Sequence, residues 1–268
     1  MIRGMLLAAL VTLMAAPAAA ALDTLEAIQD CMDSNLPDPS SVQIIVMNAH
    51  DRIGSVTQTR AKIYWKKGED DLSNVLVRLS DPPEMRGAAI LMLEKKGSNN
   101  DILMYLPELD RVKRVTGHMM SGSMFGTDFS YEEFESLQGL GNEDFVESLA
   151  APAEVDGRPV YVIEARAREG LEEQPNYERT VSYVDQATCT ALKVEFFERG
   201  DRVRKRMQTD ASSIEKIGER NVARRIRIED LRDETRTELQ IEEIDFDAKV
   251  SRSLFSARSL QRMGGKTF

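Results

Sequence analysis

The chain has 268 residues, of which 42% are hydrophobic and 30% are charged, an ordinary composition for a globular protein. This composition excludes a disordered chain, a collagen and a helical membrane protein with several spans. The formal net charge of −10 argues against a nucleic-acid partner. There are only two His and two Cys, and the G-x-S-x-G and H-E-x-x-H motifs are missing. We therefore predict no enzyme, no cofactor and no metal site.

Residues 1–20 have the pattern of a secretory signal peptide. Arg3 supplies the positive start, residues 5–14 are almost wholly apolar, and a stretch of small residues leads to Ala20. An apolar run of this length is too short to span a bilayer as a mature helix. We expect cleavage after Ala20, a single domain over residues 21–268, and a periplasmic protein with no integral membrane segment.

The two cysteines, Cys31 and Cys189, both belong to the expected mature chain. In an oxidising compartment an even number of cysteines favours a disulfide, and two cysteines allow only one pairing. We predict a Cys31–Cys189 bond. The alternative is a pair of buried, unbonded thiols that act as small hydrophobic side chains.

The chain then predicts one helix followed by strands. Asp23 and Glu26 have the spacing of a capping box, and apolar residues recur at helical spacing, which predicts a helix over 23–33. After the prolines at 37 and 39 the hydrophobic period changes to two. This alternation predicts strands over 42–47, 56–67 and 75–79.

The next two runs, 88–93 and 102–106, are apolar at every position. A strand of this kind either is buried on both faces or has a core on one face and an apolar cavity on the other. A short amphipathic strand is predicted over 111–115.

A flexible, methionine-rich segment follows, and we call residues 117–129 the methionine loop. It contains Gly and Ser residues together with apolar side chains of Met and Phe. Ser130 and Glu133 then have capping-box spacing, which predicts a short helix over 130–137.

The rest of the chain predicts an antiparallel meander. Leu239 and Ile244 have opposite phases, which predicts a bulge near Glu242–Glu243. One or two helical turns are predicted over 253–260. Strands are predicted over 160–167, 177–184, 192–197, 203–214, 222–231 and 235–246.

Together these elements predict a mainly β protein with one large curled antiparallel sheet of about 11–13 strands, because wide open sheets curl or split. The concave side of such a half-barrel must be filled. The N-terminal helix and the short inner helix and loop are the segments left to fill it.

One part of the chain, residues 86–139, resembles the outer-membrane lipoprotein-sorting (LolA-like) family of periplasmic proteins. The resemblance rests on the letters YLP at 105–107, on Arg111 and Arg114, and on GTDFSYEE at 126–133. A Glu stands at the last of these positions where Asp is usual in the family. The resemblance implies a LolA/LppX-like half-barrel, and members of this family hold or shuttle lipids or lipoprotein acyl chains.

We predict that apolar side chains on the two-faced strands and in the methionine loop bind lipid, and that the loop acts as a gate. The alternative is that they only fill the core. Arg111 and Arg114 are predicted to contact a head group or a partner, although a solvated strand face explains them equally. The predicted lipid-binding residues are Trp65, Leu91, Leu93, Leu103, Tyr105, Met119, Met120, Met124, Phe125 and Phe129.

The sequence thus predicts a periplasmic carrier that shields lipid or lipoprotein acyl chains for transfer between membranes. An inner-membrane lipid exporter and an outer-membrane acceptor are its candidate partners. Two alternatives stay open: an accessory or adaptor protein of an inner-membrane (RND-type) lipid exporter, and a periplasmic hydrolase.

Overall fold

A computed structural model describes residues 22–97, 99–140, 143–171 and 175–263. The predicted signal peptide lies outside these residues. The described helices are α1 (Leu25–Asp33), α2 (Tyr131–Leu137) and α3 (Ala257–Met263). The described strands are β1 (Ser40–His50), β2 (Val56–Lys67), β3 (Ser73–Asp81), β4 (Ala89–Leu93), β5 (Asp101–Leu106), β6 (Arg111–Val115), β7 (Phe145–Val155), β8 (Arg158–Ala167), β9 (Arg179–Asp185), β10 (Ala191–Glu198), β11 (Arg202–Thr209), β12 (Ile214–Ile217), β13 (Arg220–Ala223), β14 (Arg225–Asp230) and β15 (Thr235–Asp245).

Thirteen strands form one antiparallel sheet in the order β6-β5-β4-β3-β2-β1-β15-β14-β11-β10-β9-β8-β7. Strands β12 and β13 form a separate hairpin. The prediction of a mainly β fold built on one large curled sheet is confirmed. The strand β1 occupies the middle of the sheet, where it pairs with β2 on one side and with β15 on the other.

The sheet has an inner face, which carries the largest hydrophobic cluster. Strand β2 shows how this face becomes apolar. Its residues Ala61, Ile63 and Trp65 are almost fully buried on the inner face, while Lys62 and Lys66 point to the other face. Successive side chains of a strand point to opposite faces. The period-two pattern of the sequence therefore becomes the wall of the core.

Helix α2 packs inside the sheet and contributes to this inner cluster. Ser130 accepts a hydrogen bond from the Glu133 backbone N–H, and the Glu133 carboxylate accepts one from the Ser130 backbone N–H. The predicted capping box is confirmed. The fully buried rings of Phe129 and Phe134 meet edge to face at 6.3 Å between centroids, which fixes the helix on the sheet.

Helix α1 also lies on the inner face, against β8 and β9. Its fully buried residue Ile28 packs with Tyr161, Ile163 and Val184. The helix begins at Leu25, two residues after the predicted start, because the Thr24 hydroxyl accepts the hydrogen bond from the Ala27 backbone N–H at 3.2 Å. Thr24 is therefore the N-cap, and the predicted Asp23–Glu26 capping box is wrong.

The outer face of β3–β6 is covered by the C-terminal segment. Leu260 of α3 is fully buried and packs with Leu76, Leu91 and Tyr105 in a second hydrophobic cluster. On the inner face of the same strands, Ile90 and other residues belong to the main cluster. Strands β4 and β5 are therefore apolar at every position because each has a core on both sides.

The bulge in β15 is confirmed. Ile44 pairs with Glu243 and Ile45 pairs with Ile241, so Glu242 is the extra residue. This shift explains why the two ends of the strand have opposite phases in the sequence.

The sequence pattern did not predict the β12–β13 hairpin or strand β7. The predicted strand 203–214 ends at Thr209, because the Asp210 carboxylate accepts hydrogen bonds from the Ser212 backbone N–H and hydroxyl and starts a turn. The turn leads into the β12–β13 hairpin. Strand β7 was missed because residues 146–154 are all exposed, so no alternation marks them.

Candidate functional site

An apolar cavity of about 260 Å³ lies on the inner face, between α2, the end of α1 and the middle of the sheet. Its walls come from β1, β2, β9, β10, β11, β13, β14 and β15, so strands distant in the sequence contribute alternate side chains. The apolar side chains that line it are Met32, Leu36, Pro37, Ile45, Ile63, Leu137, Ala191, Val194, Met207, Val222, Ala223, Ile226, Leu239, Ile241, Ile244 and Phe246.

A disulfide closes one side of this cavity. Cys31 of α1 is bonded to Cys189 in the turn between β9 and β10, and the Cα atoms are 5.7 Å apart. Cys189 also lines the cavity. The predicted bond is confirmed, and it holds the end of α1 against the sheet at the cavity wall.

The segment after α1, residues 35–38, is held over the cavity by the β12–β13 hairpin. The Arg220 guanidinium donates to the Leu36 carbonyl at 2.8 Å, and the Asn221 backbone N–H donates to Asn35 Oδ1 at 2.8 Å. Asn35 in turn donates to the Thr188 carbonyl at 2.9 Å. These polar contacts join three surface segments at the mouth of an apolar space.

Leu36 reaches the cavity because residue 139 is a glycine. A Cβ atom on Gly139 would lie 2.5 Å from Leu36 Cδ1, which is closer than any real contact, and the φ of +71° at Gly139 disfavours other residues. The close approach places Leu36 against the end of α2. Any larger side chain at position 139 would displace the Leu36 side chain.

A second, smaller cavity of about 180 Å³ adjoins the first, since Ser136, Ser182 and Val194 line both. Glu132, Glu135 and Glu147 also line it. Burial raises the pKa of all three carboxyls, and it raises that of Glu135 to about 7.

Amide groups, rather than cations, bond these three carboxylates. Asn100 donates to Glu135 at 3.0 Å, Asn176 donates to Glu132 at 2.8 Å, and Gln29 donates to Glu147. Lys205 partly offsets the burial of Glu132, but desolvation is the largest influence on the pKa of each of the three groups. The polar end of the apolar space is therefore acidic, and Glu135, whose pKa is about 7, is partly protonated near neutral pH.

The residues of the sequence motif 126–133 anchor the methionine loop to the sheet. Lys205 Nζ lies 3.1 Å from Glu133 Oε1 and donates to the Asp128 carbonyl at 2.7 Å. The Tyr177 hydroxyl donates to the same carboxylate, and its pKa is raised by burial and by Glu133. Thr237 donates to the Asp128 carboxylate at 2.7 Å. The motif thus has a structural role that is visible in its contacts.

A larger polar cavity of about 560 Å³ lies at the opposite end of the sheet, beside the methionine loop. Arg204 dominates one wall, and its guanidinium pairs with Asp230, with Glu198 at 3.2 Å and with Asp233 at 3.0 Å. The positive charge in this cavity is thus neutralised by the protein itself.

Six of the ten predicted lipid-binding residues lie on the inner face, yet none of them lines the 260 Å³ cavity. Trp65, Met124 and Phe129 are almost fully buried in the solid core between the two ends of the sheet, and Phe125 is also buried. Met119 and Met120 are half-buried and pack against the same core.

The other four predicted lipid-binding residues lie on the outer face, in the cluster beneath the C-terminal segment. They are Leu91, Leu93, Leu103 and Tyr105. Their position does not fit a lipid site on the inner face. The reason is that a strand with a core on each side gives no sequence signal that separates the two faces.

The two predicted head-group residues are on β6, at the edge of the sheet, and not at the apolar cavity. Arg114 pairs with Asp101 at 2.8 Å. Arg111 is exposed and forms no hydrogen bond or ion pair within the described residues.

The cavity-lining side chains were missed as site residues. The alternation of β1, β14 and β15 marks them as buried, but alternation alone cannot tell a filled core from a cavity.

No helix among the described residues combines the length and the apolar character that crossing a bilayer requires.

Comparison with known proteins places this fold among solved structures. A family model described as "-like: Uncharacterized protein" matches residues 71–262. A DUF1329 family protein from Desulfovibrio piger is 24% identical, with a TM-score of 0.78 over 89% of this chain and 100% of that one. No curated protein is significantly similar in sequence.

Two further structures share the architecture. A putative outer membrane lipoprotein-sorting protein domain from Vibrio parahaemolyticus is 21% identical, with a TM-score of 0.78 over 89% of this chain and 98% of that one. A LolA superfamily protein from Nitrosomonas europaea is 18% identical, with a TM-score of 0.67 over 88% of this chain and 99% of that one. These similarities establish a shared fold.

Proposed function

We propose that this chain is a periplasmic carrier of lipids or lipoproteins. The chain belongs to the uncharacterized-protein family matched over residues 71–262, and it has the fold of LolA superfamily proteins. The observation that carries the proposal is the apolar cavity of about 260 Å³ on the inner face of the sheet. An apolar space enclosed by a curled sheet is suited to an acyl chain and not to a polar metabolite.

The energetic requirement for such a carrier is simple. Each CH₂ group of an acyl chain gains about 0.8 kcal/mol when it leaves water, so a carrier must offer an equally apolar surface. The cavity is slightly smaller than typical ligand pockets, which span about 300–1,000 Å³. It accommodates part of one acyl chain, and a longer segment requires the walls to move apart.

The movable wall in this proposal is the mouth formed by residues 35–38 and the β12–β13 hairpin. Val222 is buried and the Arg220 guanidinium lies 4.9 Å from the Phe246 ring, so the hairpin is also packed against the sheet. The contacts between the two segments are a few hydrogen bonds from Arg220 and Asn221, and within the described part of the chain no β-ladder joins this hairpin to the main sheet. Such contacts exchange readily with water, so opening costs less than unfolding a strand. The disulfide keeps the end of α1 attached while the mouth opens.

The proposal includes the location and the partners. The signal-peptide pattern of residues 1–20 motivates the periplasmic assignment. An inner-membrane lipid exporter as donor and an outer-membrane acceptor would complete the transfer. Among the described residues that line the cavity, no hydroxyl is hydrogen-bonded to a histidine or a carboxylate, and we propose binding and not hydrolysis as its activity.

The test fills the cavity. Replacing Ala223, which lines the cavity, by Phe should weaken binding of a fluorescent fatty acid or phospholipid by about tenfold, because the added ring occupies the acyl site. Ala150→Phe on the exposed strand β7 is the matched control and should bind as the wild type does.

Two results would contradict the proposal. One is a wild-type protein that is purified from its native periplasm without lipid and binds none of the probes. The other is an Ala223→Phe variant that keeps its fold, as judged by circular dichroism, and binds lipid with wild-type affinity. Mass spectrometry of lipids extracted from the native protein would identify the cargo.

A further inference from the structure

One end of the sheet collects hairpin turns that carry exposed apolar side chains. In the antiparallel order of the strands, the β1–β2 turn (51–55), the β5–β6 turn (107–110), the β10–β11 turn (199–201) and the β14–β15 turn (231–234) all lie at this end. His50 pairs with Arg236, so two of the turns are close neighbours. We call this end the tip rim.

The tip rim carries most of the exposed apolar surface of the described residues. Ile53 is 83% exposed, Val56 is 54% exposed, Leu109 is 50% exposed and Leu231 is 42% exposed. Only six large hydrophobic residues are exposed to this degree in the described chain, and four of them are here. A single exposed apolar residue needs no explanation, but a concentration at one rim marks an interaction surface.

Arginines without partners accompany these apolar tips. Arg52, Arg111 and Arg199 are exposed and form no hydrogen bond or ion pair within the described residues. Two nearby carboxylates are already occupied, since Asp51 accepts hydrogen bonds from its own turn and Asp110 accepts one from Tyr105. The guanidinium groups are therefore free to pair with phosphate groups.

From these observations we propose that the tip rim docks on the surface of a lipid bilayer. The apolar side chains of Ile53, Leu109 and Leu231 enter the interface, and the free arginines contact the phosphates of the head groups. Glu108 and Glu234 lie on the same rim. The four turns carry six acidic and three basic residues, so insertion of the apolar tips supplies the attraction and the free arginines only orient the head groups.

The arrangement fits a bilayer better than a protein partner. Protein interfaces have a contiguous apolar centre that becomes fully buried. Here the apolar residues sit at the tips of separate turns, and the polar cavity of about 560 Å³ opens beside two of these turns, 51–55 and 231–234. A soft, planar interface can receive several separated tips at once while its head groups cover the polar cavity.

This docking surface is independent of the apolar cavity and of the proposed cargo. The cavity lies toward the other end of the sheet, near α1 and the β12–β13 hairpin. Bilayer docking by the tip rim would therefore leave the mouth of the cavity facing away from that bilayer.

The experiment is flotation with vesicles of phosphatidylcholine and phosphatidylglycerol. The wild-type protein should float with the vesicles, and the triple variant Ile53→Ser/Leu109→Ser/Leu231→Ser should bind about tenfold more weakly. The matched control, Val146→Ser/Leu149→Ser, removes two equally exposed apolar residues from β7 and should float as the wild type does.

A second measurement locates the contact. In the unreduced protein both native cysteines are bonded, so a single added cysteine can be labelled with a polarity-sensitive dye. The dye on Ile53→Cys should shift to the blue with vesicles, whereas the dye on Leu149→Cys should not.

Several outcomes would overturn the docking proposal. A wild-type protein that does not float, a folded triple variant that floats normally, or equal dye shifts at both positions would each do so. A further outcome is that the protein binds no vesicles but associates with itself, as seen by ultracentrifugation. If the triple variant abolishes this association, the surface is a protein contact and not a bilayer contact. Binding of monomeric lipid is measured separately, so failure of docking is distinguishable from failure of the carrier function.

Discussion

Glu133 is a fully buried carboxylate whose ion-pair partner is Lys205. Lys205 Nζ lies 3.1 Å from Glu133 Oε1, and Lys205 is itself only 7% exposed. A buried charge that loses its partner keeps its desolvation penalty and gains nothing in return. Removing one partner of this pair should therefore destabilise the fold strongly, whereas replacing both partners by apolar groups is often tolerated.

Lys205→Met should lower the free energy of unfolding by about 3–5 kcal/mol, because Glu133 is left unpaired in the core. Arg206→Met on the same strand is the control. Its ion pair with Glu195 at 3.2 Å is about a third exposed, so its loss should cost at most about 1 kcal/mol. Urea unfolding measures both.

A second substitution makes the Lys205 prediction specific. Adding Glu133→Gln to Lys205→Met removes the uncompensated charge and should recover part of the lost stability. If the double variant is no more stable than Lys205→Met alone, packing of the lysine chain, and not its charge, explains the loss.

Glu135 gives the fold a pH dependence. Burial raises its pKa from 4.5 to about 7 in the folded protein. Between these two values the folded state binds more protons than the unfolded state, so the free energy of unfolding falls as the pH rises. Below the unfolded pKa and above the folded pKa this contribution is constant. The raised pKa values of Glu132 and Glu147 act in the same direction.

Glu135→Gln should therefore stabilise the protein more at about pH 8 than at about pH 5, because glutamine is neutral at both. Urea unfolding of the two proteins at the two pH values checks this. An equal difference between variant and wild type at both pH values would show that Glu135 does not titrate in this range. Glu108→Gln, at an exposed position, serves as the control.

The methionine loop divides into an anchored part and a looser part. Met124 is fully buried, while Met119 and Met120 are half-buried. The hypothesis that the methionine loop gates the entry of lipid stays a proposal. The burial pattern limits the candidate gate residues to Met119 and Met120. The lower burial of those residues is consistent with motion there and not around Met124.

Met124→Ala should cost about 2–5 kcal/mol, as large-to-small changes in a core do. The pair Met119→Ala/Met120→Ala should cost clearly less, yet should change the rate of fluorescent-lipid exchange if these residues gate entry. Melting curves and exchange rates are measured together. An unchanged exchange rate in the double variant would remove the loop from the entry path.

The elements themselves were largely predictable, and the reasons are visible in particular residues. Alternation gave β2 its full length, 56–67, and the Ser130–Glu133 spacing gave α2 its start. The bulge at Glu242 followed from a change of phase. Each of these signals is local, because it depends on residues that are neighbours along the chain.

Burial of both faces is a different matter. The residues of β4 and β5 predicted a core on each side of these strands. They did not predict which side chains belong to the inner core and which to the outer core, because the outer core depends on Leu260, far away in the sequence. The same limit applies to the apolar cavity, whose lining comes from two helices and eight strands. An unfilled space is a property of the assembled sheet and has no pattern in any one strand.

The molecule as a whole was predicted through its architecture. A long run of strands with few helices required a curled sheet, and the motif residues 105–107 and 126–133 pointed to the LolA-like fold. The contacts of Asp128 and Glu133 explain why such a motif reports the fold: they anchor a loop and a helix inside the sheet. They do not line the apolar cavity, so the motif alone could not reveal the site.

The central position of β1 has a consequence for how the chain folds. Its partner β15 is the last strand of the sheet, so the ladder from Val42 to Asp245 joins the two ends of the sequence. Strands β2–β6 can pair with their sequence neighbours early, as can β7–β11. The seam between these halves closes only after the final strand is available. Such distant pairing slows folding and leaves the edge of β1 unpaired until β15 has been made, a period in which a chaperone would have most to protect.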